Sequence, residues 1–175
     1  MKKTLWILQL FGYATVTLGG TLLHFLYDWT NGSVWVAPLS GVNESTFEHM
    51  KLLFWPMLIF TLLEAGFMRG HNGFICIKLR GILLGLSMIP IIFYTYNGVI
   101  GKSPDWINIA IFFVSAAIAF LYETKRLCNG NVQCKRPWVA ILVLCITALL
   151  FVLFTFYPPP LGLFEDPTGG TTFAA

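Results

Sequence analysis

Charged residues are scarce in this chain. Only 11% of its 175 residues are Asp, Glu, Lys or Arg, and the formal net charge is only +3. An average soluble domain carries about 25% charged residues. This scarcity excludes an ordinary soluble enzyme and a disordered protein, and the small net charge excludes a nucleic-acid-binding surface. Hydrophobic residues make up 57% of the chain, a composition typical of a membrane protein.

Long polar segments are also missing. The longest stretch outside the apolar runs covers residues 27–51. Segments shorter than about 40 residues rarely fold alone without disulfides or metals. No internal repeat of the kind that marks many secondary transporters is visible in the sequence. The sequence therefore predicts a single membrane domain over residues 1–175.

Five apolar runs are long enough to cross about 30 Å of hydrocarbon as helices. Helices are expected because backbone polar groups cannot remain unpaired in lipid. The predicted fold is an all-α polytopic transmembrane bundle of five spans, with an outer tail over residues 157–175. The spans cover residues 5–26, 52–68, 75–96, 106–122 and 138–156.

The basic residues predict the orientation, since Lys and Arg accumulate on the cytoplasmic side of membrane proteins. With the N-terminus inside, nine basic residues fall on the inner side, against Lys51 and Lys102 on the outer side. The acidic residues are mostly outside, apart from Glu123 inside and Glu64 within a span. We therefore expect a cytoplasmic N-terminus and an outer C-terminus. The nine inner residues are Lys2, Lys3, Arg69, Lys78, Arg80, Lys125, Arg126, Lys135 and Arg136.

None of the four cysteines lies in an outer loop, so an extracellular disulfide framework is excluded. Cys76, Cys128 and Cys134 fall at or near the inner side, and Cys145 lies within the fifth span. Cytoplasmic thiols are normally kept reduced, and two thiols without a third ligand make a poor metal site. The sequence predicts free, reduced cysteines.

The densest polar chemistry surrounds the first outer loop. His24 and Asp28 are four residues apart at the outer end of the first helix, so they share a face. Together with His49 they could hold a divalent metal such as zinc, which accepts imidazole nitrogen and carboxylate oxygen. The residues predicted to bind a ligand are Asn43, Glu44, Glu48 and Glu64.

Helix capping explains part of the same segment. Ser45-x-x-Glu48 before an apolar run is a capping box, in which the two side chains satisfy free amides at the start of a helix. Glu44 beside that N-terminus is favoured by the helix dipole. The spacing also matches no known zinc signature. A helix cap and a ligand site therefore both remain open as interpretations.

Glu64 lies within the second predicted span, near the inner side. A carboxylate in hydrocarbon costs about 2.5 kcal/mol or more, so we expect it to face the bundle and to have a partner. The nearest basic candidates are Arg69, Lys78 and Arg80. Such a pair could be structural or functional. Glu64 cannot share a metal with His49, because the helix between them is about 22 Å long.

Two further patterns concern packing. Gly81 and Gly85 lie four residues apart in the third span, a spacing that lets another helix approach closely. That helix could belong to the same chain, to a second copy in a homo-oligomer, or to another membrane protein. In the tail, three prolines end the last helix, and apolar residues follow them. We expect the tail to fold back on the outer face and to bring Glu165 and Asp166 towards the first outer loop.

Several segments resemble a family of small bacterial multipass membrane proteins that is described only as a domain of unknown function. The likeness is carried by His24-Phe25-Leu26-Tyr27-Asp28-Trp29, by Asn43-Glu44-Ser45-x-x-Glu48-His49-Met50-Lys51, and by the tail motif Phe164-x-Asp166-Pro167. The resemblance implies a five- or six-span protein of the bacterial plasma membrane. It implies no activity and no catalytic residues.

Three functions are compatible with these patterns. The favoured one is binding or transport of a small ligand or cation through the outward-facing His/carboxylate cluster. The second is a structural or assembly role in a membrane complex. The third is a metal-dependent hydrolase at the outer leaflet, with zinc on His24, Asp28 and His49 and an attacking water positioned by Glu44 or Glu48. The expected surroundings are the lipid bilayer, and the sequence leans away from an enzyme.

Overall fold

The computed structural model describes residues 2–71, 73–130 and 132–169, apart from the side chain of Asp105. Helices account for all the regular structure in these segments, which contain no strand. The all-α prediction is confirmed. The helices are α1 (Lys2–Trp29), α2 (Thr46–Phe67), α3 (Phe74–Val99), α4 (Asp105–Asn129), α5 (Pro137–Phe156) and a short 3-10 helix, η1 (Gly162–Phe164).

Five of these helices are long and apolar enough to cross a membrane, which indicates a multipass membrane protein. Each corresponds to one predicted span, but most are longer than the span. α2 begins at Thr46 and continues through Pro56 without interruption. It begins there because Ser45 accepts a hydrogen bond of 3.3 Å from the amide of Glu48, which confirms one half of the predicted capping box. The other half is wrong, because Glu48 accepts from the amide of Val42 and Asn43 takes its place at the amide of Ser45.

Four helices form a ring. α1 contacts α2 and α4, α3 contacts the same two helices, and α5 packs against α3. The end of the bundle that the charge rule predicts to lie outside is called the outer end, and there α5 also contacts α2, with the rings of Phe54 and Phe151 5.0 Å apart. The centre of the ring is filled by apolar side chains that are almost fully buried, including Val16, Leu53, Met57, Ile82 and Ala116.

The two glycines of the third span are used for packing within the chain. A Cβ atom on Gly81 would collide with the carboxylate of Glu123. A Cβ atom on Gly85 would lie 3.1 Å from the Cβ atom of Ala119. Both contacts are to α4, so α3 and α4 approach closely along this pair of glycines.

The tail folds back on the outer end of the bundle, as predicted. The ring of Phe164 lies 4.5 Å from that of Phe47 and 5.5 Å from that of Phe154. The backbone amide of Glu44 donates a hydrogen bond of 3.3 Å to Oδ2 of Asp166. The tail therefore contacts α2, α5 and the first outer loop at once.

The cysteine prediction is wrong for one pair. Cys76 and Cys134 form a disulfide with their Cα atoms 5.7 Å apart, whereas Cys128 and Cys145 are free. The pairing is invisible in the sequence because 58 residues separate the two cysteines. Only the packing of α3 against α4 and α5 brings the start of α3 to the α4–α5 connection.

Thiol counting tests this disulfide. Because Cys128 and Cys145 are the free cysteines, the purified, denatured protein should be alkylated at two positions before reduction and at all four after it. Cells lysed and denatured in the presence of the alkylating reagent should give the same two labelled cysteines, because the disulfide belongs to the folded protein. Four labelled cysteines before reduction would contradict the disulfide.

Candidate functional site

Two histidines and one carboxylate meet at the outer ends of α1 and α2, and we call this group the outer site. Nε2 of His24 lies 3.4 Å from Oε1 of Glu44, and Nε2 of His49 lies 3.6 Å from Oε2 of the same side chain. The two imidazole rings are 5.8 Å apart. Glu44 therefore stands between a residue of α1 and a residue of α2.

The ring of His49 has a defined orientation. Its Nδ1 atom lies 3.0 Å from the carbonyl oxygen of Ser45. A carbonyl oxygen can only accept, so Nδ1 is the atom that carries the proton in the neutral ring. Nε2 of that neutral ring is then an acceptor, and it faces a carboxylate oxygen that is also an acceptor. This arrangement attracts a hydrogen-bond donor or a positive charge.

An apolar cavity of about 380 Å³ opens beside the two histidines, between α1, α2 and α4. A cavity of this size with mostly apolar walls and a few converging polar groups is typical of a small-molecule site. Its polar side chains come from Thr21, His24 and His49. Its apolar walls are formed by Phe25, Leu52, Ile109, Phe112 and Phe113.

The remaining residues predicted around the first loop lie elsewhere. Asp28 is exposed and forms no ion pair with any described residue. Asn43 accepts a hydrogen bond of 2.9 Å from the amide of Ser45 and so supports the start of α2. Glu48 is buried and paired with Lys51. Of the predicted residues, the structure thus brings together His24, Glu44 and His49.

The predicted zinc site is not supported. Within the part of the chain that the structure describes, no group of three His, Cys, Asp or Glu side chains is placed to hold a metal ion. The predicted set of His24, Asp28 and His49 does not form because Asp28 is exposed, and Glu44 approaches each histidine with a different carboxylate oxygen. Asp28 follows His24 by one helical turn but is directed to the exterior.

A buried ion pair, Glu48–Lys51, fixes the outer end of the bundle. Nζ of Lys51 lies 2.8 Å from Oε2 of Glu48 and donates hydrogen bonds of 2.9 Å to Ala37 O and Thr155 Oγ1. Oε2 of Glu48 also accepts the amide of Val42 at 2.8 Å. Lys51 is 0% exposed, although the sequence predicts it as an outer basic residue. The pair ties the first outer loop to α2 and α5.

A second group of buried polar side chains, which we call the inner charge cluster, joins four helices. Nζ of Lys78 on α3 lies 3.0 Å from Oε2 of Glu64 on α2 and also pairs with Oε2 of Glu123 on α4. The amide of Gln9 on α1 donates to Oε1 of Glu64. None of the four side chains is more than 2% exposed. The rings of Phe60 and Phe120 flank Nζ at 5.3 Å.

The model of a family of unknown function, DUF6512, matches residues 1–172. The chain belongs to DUF6512. Among curated proteins and among solved structures, no match is found. Membership confirms the resemblance to an uncharacterised family and assigns no activity.

The inner charge cluster is the feature of this DUF6512 chain that the sequence reveals least. The sequence predicts that Glu64 faces the bundle and pairs with a nearby basic residue, and Lys78 is that residue. Lys78 and Glu123, however, are predicted as inner-side charges and are in fact fully buried. The spacing of these residues could have indicated their burial. Lys78 lies three residues before Gly81 on α3, and Glu123 lies four residues after Ala119 on α4. Each charged residue therefore shares a helix face with a small residue at the α3–α4 contact.

Because Lys51 and Lys78 are buried, they do not contribute to the surface charge at the two ends of the bundle. Without Lys78, the nine inner basic residues become eight, and without Lys51 the two outer ones become one, Lys102. The remaining outer acidic residues include Asp28, Glu44 and Glu165, all of them exposed. The exposed charges are therefore mostly acidic at the end of the bundle that carries the outer site and mostly basic at the opposite end.

Proposed function

We propose that this protein binds a small amphipathic cation, an amine with an apolar body, in the cavity of the outer site. The observation that carries the proposal is the apolar cavity of about 380 Å³ beside the His24–Glu44–His49 group. The apolar cavity would hold the apolar body of the ligand, and the polar side chains would bind its amine. The proposal keeps the ligand-binding function favoured by the sequence and replaces the metal ion with an organic cation.

The charges around the site favour a cationic head group. Glu44 does not line the cavity itself, but its carboxylate contacts both histidines that do and is 44% exposed, so an ammonium group beside those histidines can reach it. Nε2 of neutral His49 is an acceptor directed at the same carboxylate. An ammonium group donates up to three hydrogen bonds and satisfies both acceptors, whereas a carboxylate ligand would be repelled by Glu44.

The walls of the cavity favour an apolar body. Phe112 and Leu52 are buried side chains that face the cavity, and Phe25 and Phe113 add two aromatic rings to it. Each methylene group that leaves water for such a wall contributes about 0.8 kcal/mol. Aromatic faces also attract a cation, by about 0.5–2 kcal/mol. Longer alkyl chains should therefore bind more tightly until the cavity is full.

Binding is favoured over transport because the inner half of the same helices is closed. At Gly12 of α1, a Cβ atom would collide with the ring of Phe60 and would lie 2.9 Å from that of Phe120. These two rings also flank Lys78 of the inner charge cluster. The cavity thus sits above a tightly packed region. The proposed setting is the bacterial plasma membrane, with the basic end cytoplasmic and the outer site on the opposite face.

Thermal unfolding in lipid nanodiscs tests the ligand class. We expect n-octylamine, as the ammonium ion, to raise the unfolding temperature more than n-octanol or octanoate at the same concentration, because only the amine pairs with Glu44. Glu44→Gln should weaken amine binding about tenfold, the effect of losing roughly 1.4 kcal/mol, and leave octanol binding unchanged. Equal stabilisation by amine and alcohol in the native protein would contradict the proposed cation preference.

A matched pair of variants tests the place of binding. Ile109 lines the cavity and is 58% exposed, so Ile109→Trp should fill the cavity at little cost to folding. Val114 lies on the same helix, is 48% exposed and does not line the cavity. We expect Ile109→Trp to abolish stabilisation by n-octylamine and Val114→Trp to preserve it. The same response in both variants would place the amine elsewhere.

A further inference from the structure

The inner charge cluster holds more negative than positive charge. Its formal charges are those of two carboxylates, Glu64 and Glu123, and one ammonium, Lys78, which leaves a net charge of −1. Gln9 contributes a neutral amide from α1. Among the described residues, no further charged side chain forms an ion pair with these three, and α5 contributes none. None of the residues of the inner charge cluster belongs to the outer site.

A net charge is not stable in such surroundings. All three charged side chains are at most 1% exposed, and two aromatic rings cover the ammonium. A buried group without a counter-charge neutralises itself by changing its protonation state, because an unpaired ion in an apolar medium costs far more than a proton transfer. The cluster therefore needs one additional positive charge, and a proton is the smallest that fits.

The contacts of the two carboxyl groups differ. Both oxygens of Glu64 have a neighbour of opposite polarity: Oε1 accepts from Gln9, and Oε2 lies 3.0 Å from Nζ of Lys78, although it accepts no hydrogen bond from a described residue. Glu123 is engaged at Oε2, but its Oε1 is buried without a hydrogen-bond partner among the described residues. The bare oxygen lies against Gly81, where a side chain would collide with it. An ionised carboxylate with one bare buried oxygen is the costlier of the two.

We propose that Glu123 is a proton-binding site within the membrane-spanning bundle. In the proposed resting state Glu64 is a carboxylate, Lys78 is an ammonium and Glu123 is a carboxylic acid, so the cluster is neutral. In binding, one O–H bond of a hydronium ion breaks and one O–H bond forms at Oε1 of Glu123, so that a neutral water molecule is left and the Lys78–Glu64 pair stays intact. The site is separate from the outer site and does not require a ligand there.

Infrared spectroscopy tests this assignment, because the C=O stretch of a protonated carboxyl group is resolved from the bands of carboxylates. At neutral pH we expect the native protein to show one buried carboxylic acid. Glu123→Gln should remove its band and keep the unfolding temperature, since glutamine has the shape of the neutral acid. Lys78→Met should raise the number of protonated carboxyls from one to two, because neither carboxylate then has a counter-charge.

Two further variants complete the infrared experiment. Glu64→Gln should also remove the band, because Glu123 then becomes the only counter-charge of Lys78 and ionises. Glu165→Gln, which changes an exposed carboxylate of the tail, should leave the band unchanged. No acid band in the native protein, or a band that survives Glu123→Gln, would overturn the proposal. A band that disappears when sodium ions are added would also overturn it, because a metal cation would then neutralise the cluster.

Discussion

Replacing Lys78 by methionine is expected to lower the free energy of unfolding by about 3–5 kcal/mol, the range observed when one partner of a buried ion pair is removed. Nζ of Lys78 pairs with Glu64 and with Glu123, and its own side chain is 0% exposed. Methionine keeps the length of the side chain and removes only the charge and the hydrogen-bond donors. Denaturant-induced unfolding in lipid nanodiscs measures the loss.

An exposed lysine near the same end of the bundle provides the control for Lys78. Lys125 lies on α4 and is exposed, two residues after Glu123. Exposed substitutions away from special features usually change stability by no more than about 0.5 kcal/mol. Lys125→Met should therefore unfold like the native protein. If Lys78→Met unfolded at the same denaturant concentration as Lys125→Met, the inner charge cluster would not stabilise the folded protein.

Replacing Lys51 by methionine is expected to have an effect of similar size, about 3–5 kcal/mol, at the opposite end of the bundle. The change leaves Glu48 buried without its counter-charge and removes the hydrogen bonds to Ala37 and Thr155. Those bonds join the first outer loop to α5. The same unfolding measurement should show the loss, and limited proteolysis should cut the loop faster in the variant than in the native protein.

A double variant separates the charge from the packing. In Glu48→Gln/Lys51→Met neither charge remains, so the cost of an unpaired buried ion disappears. We expect the double variant to recover most of the stability that Lys51→Met loses. Lys102→Met, at an exposed outer lysine, should be neutral. A double variant no more stable than Lys51→Met would show that the lost hydrogen bonds, not the unpaired charge, set the cost.

Much of the fold can be predicted from the sequence because the membrane restricts the structures that an apolar segment can adopt. An apolar run long enough to cross the hydrocarbon must be helical, and five such runs predict five helices. Local rules also predict the cap at Ser45 and the use of Gly81 for close packing, and both are confirmed. The helix ends are less predictable, because helices continue past the hydrocarbon where polar residues cap them or pair within the bundle.

The candidate site is only partly predictable, since it depends on which faces of distant helices meet. The sequence singles out His24, Glu44 and His49, but it assigns the carboxylate partner of His24 to Asp28, its nearest neighbour along the helix. The structure brings Glu44 there instead, because the first outer loop folds back over the bundle. The cavity wall from α4 is invisible in the sequence, because no local pattern distinguishes Ile109 or Phe113 from lipid-facing residues.

The same limitation applies to the buried charges. Counting charges along the sequence places Lys78 and Glu123 on the inner side of the membrane. The count uses only their positions in the chain and does not consider which face of a helix each residue occupies. Their burial follows from four helices that each direct one polar side chain to a common point. Similarly, the Cys76–Cys134 disulfide follows from packing across 58 residues, which no spacing rule for cysteines foresees.

Photo-crosslinking with an alkylamine that carries a diazirine in its chain tests the proposed ligand site most directly. In native protein in nanodiscs, we expect the covalent label on residues that line the cavity, within residues 20–25, 49–52 and 109–113. Excess n-octylamine should compete it away, and Ile109→Trp should prevent it. Label spread over exposed residues of α5, such as Leu149 and Leu153, with no effect of competitor or variant, would contradict binding in the cavity.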